Sequence, residues 1–298
     1  MKMIEPLVFS RSGPTLLFTH ANGYPPESYR TFLIPLLHHY QVMAISLRPF
    51  YLGSNPDNLT DWKDFRDDYL HYLDDLEFNP GNSSSRDNNS NQVIAVGHSV
   101  GAMTGLMAAI ERPHLFRVLV LIEPVIFPPL WGILTQILSP FNLAHRVYPL
   151  ARTTLRRKTR FPSRKAMFEN YRKKPIFSKL SDDVLRDYVE GLARDLPDGF
   201  VELKYSPAWE TRIYETGGIA DAYVWKNLPK VNCPVLILRG EETNILRRRV
   251  IWLMLKRISN GKAFSVPEAG HLVPLEAPYR TARIVLDFLQ SIFKDTDT

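Results

Sequence analysis

Cysteine is almost absent from this chain of 298 residues, in which Cys233 is the only one. A single thiol excludes an internal disulfide and a metal cluster built on cysteines alone. It also fits a reducing compartment, so we expect a cytoplasmic protein. An excess of one charge is lacking too, because 37 basic and 31 acidic residues leave a net charge of only +6. We therefore expect no nucleic-acid partner.

Signals for a membrane or for export are also missing. The N-terminus, Met1 to Pro6, has no apolar stretch of the kind found in signal peptides. The apolar run at 118–138 is long enough to imitate a membrane span, but it contains Glu123 and three prolines. A lipid-exposed helix would tolerate these residues poorly. The sequence therefore predicts no transmembrane segment, and its 45% apolar and 23% charged residues are typical of a globular protein.

The most informative residues are Gly97-His98-Ser99-Val100-Gly101, which we call the elbow. The apolar run before them, 92–96, predicts a buried strand, and the small-residue stretch after them, 102–110, predicts a helix. A serine between a strand and a helix lies on a very sharp turn, where flanking glycines remove Cβ atoms that would clash. Its hydroxyl is then exposed beside a helix N-terminus, whose amides can stabilise an oxyanion. The pattern predicts that Ser99 is a nucleophile.

Strand and helix patterns alternate along most of the chain. This alternation predicts an α/β fold with a mostly parallel central sheet and helices on both faces. A polar, low-complexity stretch at 79–91 cannot bury a face, and we expect an exposed loop there. Besides those flanking the elbow, the predicted strands are 15–19, 41–45, 118–122, 234–238 and 263–266, and the predicted helices are 29–37, 59–76 and 278–293.

The middle third of the chain has a different pattern. Residues 127–227 contain no strong buried strand, and helix-compatible segments and basic residues dominate. We therefore predict a core of residues 1–126 and 228–298 with a helical cap insertion at 127–227. The basic segment 152–160 has two interpretations, either a solvated cap surface or a contact with anionic lipid headgroups or a carboxylated substrate.

A serine hydroxyl is a poor nucleophile unless a base takes its proton, so Ser99 requires a histidine. The best placed of the eight histidines is His271, which follows the last predicted strand in a loop at the carboxyl edge of the sheet. His98 lies within the elbow, and we expect its side chain to point away from Ser99 and to pack in the core. His271 is therefore the predicted general base.

Together these features resemble the α/β-hydrolase superfamily over nearly the whole chain. The shared features are the loop at 20–23 after an early strand, the elbow, the insertion and the late Gly270-His271. The resemblance implies the α/β-hydrolase fold with a helical cap, and an oxyanion hole formed by the backbone N–H groups of Asn22 and Val100. It implies no metal and no organic cofactor. The Asn22 side chain is a further possible donor to the substrate, as in the similar haloalkane dehalogenases, but Ser99 argues against dehalogenase and epoxide-hydrolase chemistry.

The acid that would orient the histidine departs from the usual pattern. Superfamily members usually carry an Asp in a turn that begins with Gly, after the strand that corresponds to 234–238. Here the turn at 239–246 contains no Asp, and Thr243 or Asn244 occupies the expected place. An amide can orient a histidine but cannot stabilise its imidazolium by charge.

A second position supplies the acid. Some superfamily members carry it at the end of the strand that follows the elbow helix, and Glu123 stands there. A lone carboxylate at this edge needs an electrostatic partner, which His271 would provide. We predict Glu123 as the acid, while Glu241 or Glu242, or no acid at all, remain alternatives.

The sequence thus predicts a serine hydrolase that cleaves a carboxylic ester or a related acyl substrate through an acyl-enzyme on Ser99. Its partner would be a small acyl substrate, and its oligomeric state is not predicted. Two alternatives remain open. One is a C–C bond hydrolase, or another acyl transfer, that uses the same residues. The other is a non-catalytic, hydrolase-like ligand-binding protein, which Asn244 makes conceivable.

Overall fold

The computed structural model describes residues 3–77, 92–129 and 154–294. The polar loop predicted at 79–91 lies outside these residues, and so do positions 130–153 of the predicted cap. The strands are β1 (Leu7–Val8), β2 (Thr15–Thr19), β3 (Gln41–Ile45), β4 (Val93–His98), β5 (Phe116–Ile122), β6 (Arg160–Phe161), β7 (Ala193–Asp195), β8 (Val201–Leu203), β9 (Val235–Gly240) and β10 (Gly261–Val266). The helices are α1 (Arg30–Leu33), α2 (Lys63–Glu77), α3 (Val100–Glu111), α4 (Arg164–Arg172), α5 (Asp182–Leu192), α6 (Pro207–Glu215), α7 (Asp221–Asn227), α8 (Arg248–Leu255), α9 (Val273–Glu276) and α10 (Pro278–Lys294).

A seven-stranded sheet forms the centre of the described residues, in the order β1-β3-β2-β4-β5-β9-β10. Its strands pair in parallel except at β1, which pairs antiparallel with β3. Every residue of β4 is buried, as expected for a strand covered by helices on both faces. The predicted α/β class with a mostly parallel sheet is confirmed.

Parallel strands bring their carboxyl ends to one edge of the sheet. The chain leaves β4 at Ser99, β5 at Glu123 and β9 at the turn that follows Gly240. Since β4, β5 and β9 are neighbours in the sheet, these three exits lie side by side. The topology therefore gathers residues that are far apart in the sequence.

The described chain between β5 and β9 is partly helical, with α4 to α7, and also contains a small antiparallel sheet in the order β6-β8-β7. This sheet was not predicted, because strands of two or three residues are too short to show a periodic pattern. The helices α4, α5 and α6 begin at local signals: the hydroxyls of Ser163, Ser181 and Ser206 each accept a hydrogen bond from the N–H three residues later. Among the described residues, no helix has the length and apolar character needed to cross a membrane.

Candidate active site

Ser99 lies on the sharp turn between β4 and α3, with φ 58° and ψ −119°. The flanking glycines are required by close contacts of the backbone. A Cβ atom on Gly97 would lie 2.5 Å from the carbonyl oxygen of Gly101, and one on Gly101 would lie 2.3 Å from that of Thr19. Both distances are too short for any side chain, so the glycines allow the turn that presents the Ser99 hydroxyl.

His271 lies in the loop after β10, with its Nε2 3.1 Å from the Oγ of Ser99. This loop packs directly on the end of β9, because a Cβ on Gly240 would lie 2.0 Å from the carbonyl oxygen of Gly270. The N–H of Gly270 also donates to the Glu276 carboxylate. These contacts fix the loop so that the His271 ring reaches the Ser99 hydroxyl, while 27% of its side chain stays exposed.

Glu123 is fully buried and hydrogen-bonded through both carboxylate oxygens. Its Oε1 accepts from the Gly240 N–H at 2.7 Å. Its Oε2 accepts from the Thr243 hydroxyl at 2.8 Å and lies 2.9 Å from Nδ1 of His271. A carboxylate only accepts, so Nδ1 of His271 carries the proton and Nε2 is left free to accept from Ser99. The structure thus brings Ser99, His271 and Glu123 into one hydrogen-bonded row.

In the turn after β9, neither Glu241 nor Glu242, the alternatives to Glu123, takes part in the contact with His271. Glu242 pairs with Lys179 on the surface, and Glu241 is exposed. Asn244 is exposed as well, and Thr243 is the residue of this turn whose side chain contacts Glu123. Sequence reasoning missed this role of Thr243. The only signal was its place in a turn that lacks the expected Asp.

The loop that follows β2 places Asn22 beside the elbow. Among the described residues, the backbone N–H groups of Asn22 and of Val100 have no acceptor, and Val100 is the first residue of α3. Unpaired N–H groups at a helix N-terminus and a neighbouring loop can bind a developing oxyanion. The Asn22 side chain faces elsewhere: its Nδ2 donates to the Glu210 carbonyl, and its Oδ1 accepts from the Tyr205 hydroxyl.

His20 holds this loop through the peptide bond before Asn22. Its Nδ1–H donates to the carbonyl of Ala21 at 2.8 Å, and its Nε2 accepts from the N–H of Leu47 at 3.1 Å. A trans peptide is planar, so fixing the Ala21 carbonyl also fixes the Asn22 N–H, which points the opposite way. Burial keeps the ring neutral and lowers the pKa of His20 to about 4.

His98 is buried, as expected, but it is more than a packing residue. Its Nδ1 lies 2.8 Å from the Tyr29 hydroxyl, and its Nε2 lies 2.9 Å from the backbone carbonyl of His271. Burial lowers the pKa of His98 well below its ordinary value. Sequence reasoning missed these contacts, because Tyr29 and His271 are distant in the chain.

The insertion contacts the Asn22 loop through a partly buried ion pair. Arg157 lies 2.6 Å from the Glu210 carboxylate, with side chains 10% and 12% exposed, and it also donates to the hydroxyls of Tyr171 and Tyr188. A Cβ on Gly23 would lie 3.1 Å from the carboxyl carbon of Glu210. In the described part of the basic segment 152–160, Arg157 therefore faces inward, whereas the other basic side chains there are exposed. Among the described residues, no group of three or more His, Cys, Asp or Glu could hold a metal ion.

Comparisons with known proteins agree with this architecture. The family model for the alpha/beta hydrolase family matches residues 16–284. The abhydrolase domain-containing protein AKT2 of Alternaria alternata is 25% identical over 232 residues, which cover 66% of this chain and 83% of that protein. The crystal structure of E-2-(acetamidomethylene)succinate hydrolase gives a TM-score of 0.72 at 20% identity, covering 94% of this chain and 93% of that one. A thermophilic esterase from Thermogutta terrifontis gives 0.64 at 16% identity, covering 98% and 99%.

Proposed function

The chain belongs to the alpha/beta hydrolase family, and we propose that it is a serine hydrolase that cleaves a carboxylic ester or a related acyl substrate through an acyl-enzyme on Ser99. The observation that carries this proposal is the row of hydrogen bonds from Ser99 Oγ to His271 and on to Glu123. In the tautomer of His271 whose Nδ1 donates to the Glu123 carboxylate, Nε2 can accept the Ser99 proton, which is the arrangement that acyl transfer needs.

In the acylation step, Nε2 of His271 takes the Ser99 proton while Oγ attacks the substrate carbonyl carbon. The carbonyl oxygen becomes an oxyanion, and the N–H groups of Asn22 and Val100 donate to it. The bond to the alcohol then breaks, and His271 returns the proton to the leaving oxygen. The buried Glu123 carboxylate stabilises the imidazolium that forms between these two proton transfers.

Deacylation repeats the same steps with water. His271 removes a proton from the water, whose oxygen attacks the acyl carbon. The second tetrahedral intermediate collapses and releases the acid, and Ser99 regains its proton. The same residues would serve a related acyl substrate, so the choice of leaving group depends on what surrounds the acyl site.

We infer that residues 127–227 form a cap over a core of residues 1–126 and 228–298. Support comes from the contacts of the Asn22 side chain, since it is hydrogen-bonded by Tyr205 and Glu210, which both belong to the insertion. A cap of this kind excludes water and shapes the substrate pocket. The alternative of a non-catalytic ligand-binding protein rested on Asn244, in the turn after β9. This alternative loses support because the Glu123 carboxylate contacts His271.

An active-site-directed phosphonate tests the proposal, with the labelled peptide identified by mass spectrometry. The natural protein should be labelled at Ser99, and Ser99→Ala should lose both labelling and hydrolysis of nitrophenyl esters by several orders of magnitude. A series of acyl-chain lengths then defines the substrate class. Undiminished labelling of Ser99→Ala at another serine, or a natural protein that neither reacts nor hydrolyses any ester, would contradict the proposal.

A further inference from the structure

Three loops of the proposed active site meet at His98, the residue before Ser99. The Nε2 of its ring lies 2.9 Å from the backbone carbonyl oxygen of His271, which belongs to the loop of the proposed base. Its Nδ1 lies 2.8 Å from the hydroxyl of Tyr29. That hydroxyl in turn accepts from the backbone N–H of Ala21 at 3.1 Å, in the loop of the proposed oxyanion hole.

The proton positions along this path follow from the chemistry of its ends. A carbonyl oxygen only accepts, so Nε2 of His98 carries a proton and donates to His271. The ring is buried and neutral, so its Nδ1 has no proton and accepts from the Tyr29 hydroxyl. The Tyr29 oxygen keeps a lone pair for the Ala21 N–H. Every donor therefore has one acceptor, and the path has a single arrangement of protons.

The path is also rigid, because its side chains lie in the core. Tyr29 and His98 are both fully buried, and the Tyr29 ring packs against Phe18 with 4.6 Å between the ring centres. His98 directly precedes Ser99 in the elbow, and hydrogen bonds at both ring nitrogens hold its side chain in place. The hydrogen bonds consequently tie the backbone at Ala21 and at His271 to the nucleophile.

We propose that Tyr29 and His98 are positioning residues, which hold the oxyanion loop and the base loop at fixed distances from Ser99. The inference rests on the proposed function, since it concerns the spacing of the proposed nucleophile, base and oxyanion donors. Tyr29 acts through the Ala21 backbone and through His98, and His98 acts through the His271 backbone. Small shifts of any of these groups matter, since misplacement by about 1 Å can cost on the order of a hundredfold in rate.

The first test compares the loss of the Tyr29 hydroxyl with the loss of another buried tyrosine hydroxyl. Tyr69 provides the control, because it is buried in the same core and its hydroxyl has no hydrogen-bond partner among the described residues. Tyr29→Phe should lower kcat and the rate of phosphonate labelling by roughly tenfold to a hundredfold, with KM changed little. Tyr69→Phe should leave both rates within about twofold of the natural protein.

The second test concerns the hydrogen bonds at the two ring nitrogens of His98. In His98→Gln the amide can still donate to the His271 carbonyl and accept from Tyr29, whereas His98→Leu can do neither. His98→Gln should therefore keep at least about tenfold more kcat than His98→Leu. In the double variant Tyr29→Phe with His98→Leu, the loss of kcat should be smaller than the product of the two single losses, because both changes remove the same Tyr29–His98 hydrogen bond. All rates are measured well below the unfolding temperature of each variant.

The outcomes separate this inference from the proposed function. If the natural protein is not labelled at Ser99, the proposed function fails and this inference fails with it. If the natural protein is labelled but Tyr29→Phe reacts as fast as Tyr69→Phe, the positioning role alone is overturned. Losses that multiply in the double variant would likewise show that Tyr29 and His98 act independently. Should His98→Leu not fold, the comparison of Tyr29→Phe with Tyr69→Phe decides.

Discussion

The carboxylate of Glu123 lies 2.9 Å from Nδ1 of His271, although 148 residues separate the two in the chain. They meet because β9 lies between β5 and β10 in the sheet, with Ile122 paired to Leu238, and because the loop of His271 after β10 packs on the end of β9. The end of β9, where the resemblance implies an acid, is one strand spacing from the end of β5, about 4.8 Å. Glu123 directly follows β5 and accepts hydrogen bonds from Gly240, the last residue of β9, and from Thr243 in the turn after it.

The first prediction concerns this carboxylate. Glu123→Gln should lower turnover by about two to four orders of magnitude, because an amide cannot stabilise the imidazolium of His271 by charge. Glu241→Gln and Glu242→Gln are matched controls in the neighbouring turn, and each should change turnover only slightly, since both carboxylates are exposed. Steady-state ester hydrolysis measures the effect, with circular dichroism to check folding. Near-natural turnover in a folded Glu123→Gln protein would exclude Glu123 as the acid.

The strands of the central sheet were the most predictable part of the fold. A strand buried on both faces is apolar along its whole length, so the run at 41–45 predicted β3 with the bounds that the structure has. The long amphipathic pattern at 278–293 likewise predicted α10. The strands β6 to β8 escaped prediction, because two or three residues carry no periodic signal.

The candidate site, like the fold, has parts that the sequence predicted and parts that it did not. Ser99, His271 and Glu123 were named from local patterns, namely the elbow glycines and the ends of predicted strands. Their partners were not foreseeable, because a contact such as that of Tyr29 with His98 joins residues 69 positions apart and leaves no mark on the local sequence. The same holds for Thr243, whose hydroxyl acquires its role only through the register of β5 with β9.

A second prediction uses the buried carboxyl of Asp221, which accepts from the N–H of Phe127 at 2.7 Å. Burial raises the pKa of Asp221 to about 7 from 3.8. The folded state therefore binds the Asp221 proton more tightly than the unfolded state. The stability that the protonated carboxyl contributes is complete below pH 3.8 and is lost as the pH rises through 7. Asp221→Asn removes this titrating group. The free energy of unfolding of the variant minus that of the natural protein should therefore be about 3 kcal/mol larger at pH 8 than at pH 5.

Urea unfolding at the two pH values measures this difference. Asp57→Asn is the control, because Asp57 is exposed and should show no such dependence. An Asp221→Asn protein whose stability relative to the natural protein is the same at both pH values would contradict the prediction.

The third prediction concerns His20, which should make the protein less stable as the pH falls, the opposite direction to Asp221. Burial lowers the pKa of His20 to about 4 from 6.5, so the unfolded state binds the proton more tightly. The stability that the neutral ring contributes is complete above pH 6.5 and is lost as the pH falls towards 4. Between pH 7 and pH 5, the natural protein should lose about 2 kcal/mol through His20, a loss that His20→Asn should not show. Urea unfolding of both proteins at these values provides the measurement, with exposed His38→Asn as the control that keeps the natural pH dependence.

The last prediction moves the acid from β5 to the turn after β9. Thr243 is the suitable position, because its hydroxyl lies 2.8 Å from the Glu123 oxygen that contacts His271. In the Glu123→Gln background, Thr243→Asp places a carboxylate beside His271, and we expect turnover at least about tenfold above that of Glu123→Gln alone. In the natural background the same change sets two carboxylates side by side, and their repulsion should lower activity. Asn244→Asp is the matched control, since Asn244 is exposed and a carboxylate there should restore little. A folded double variant that stays at the Glu123→Gln level would show that the charge must lie at the end of β5.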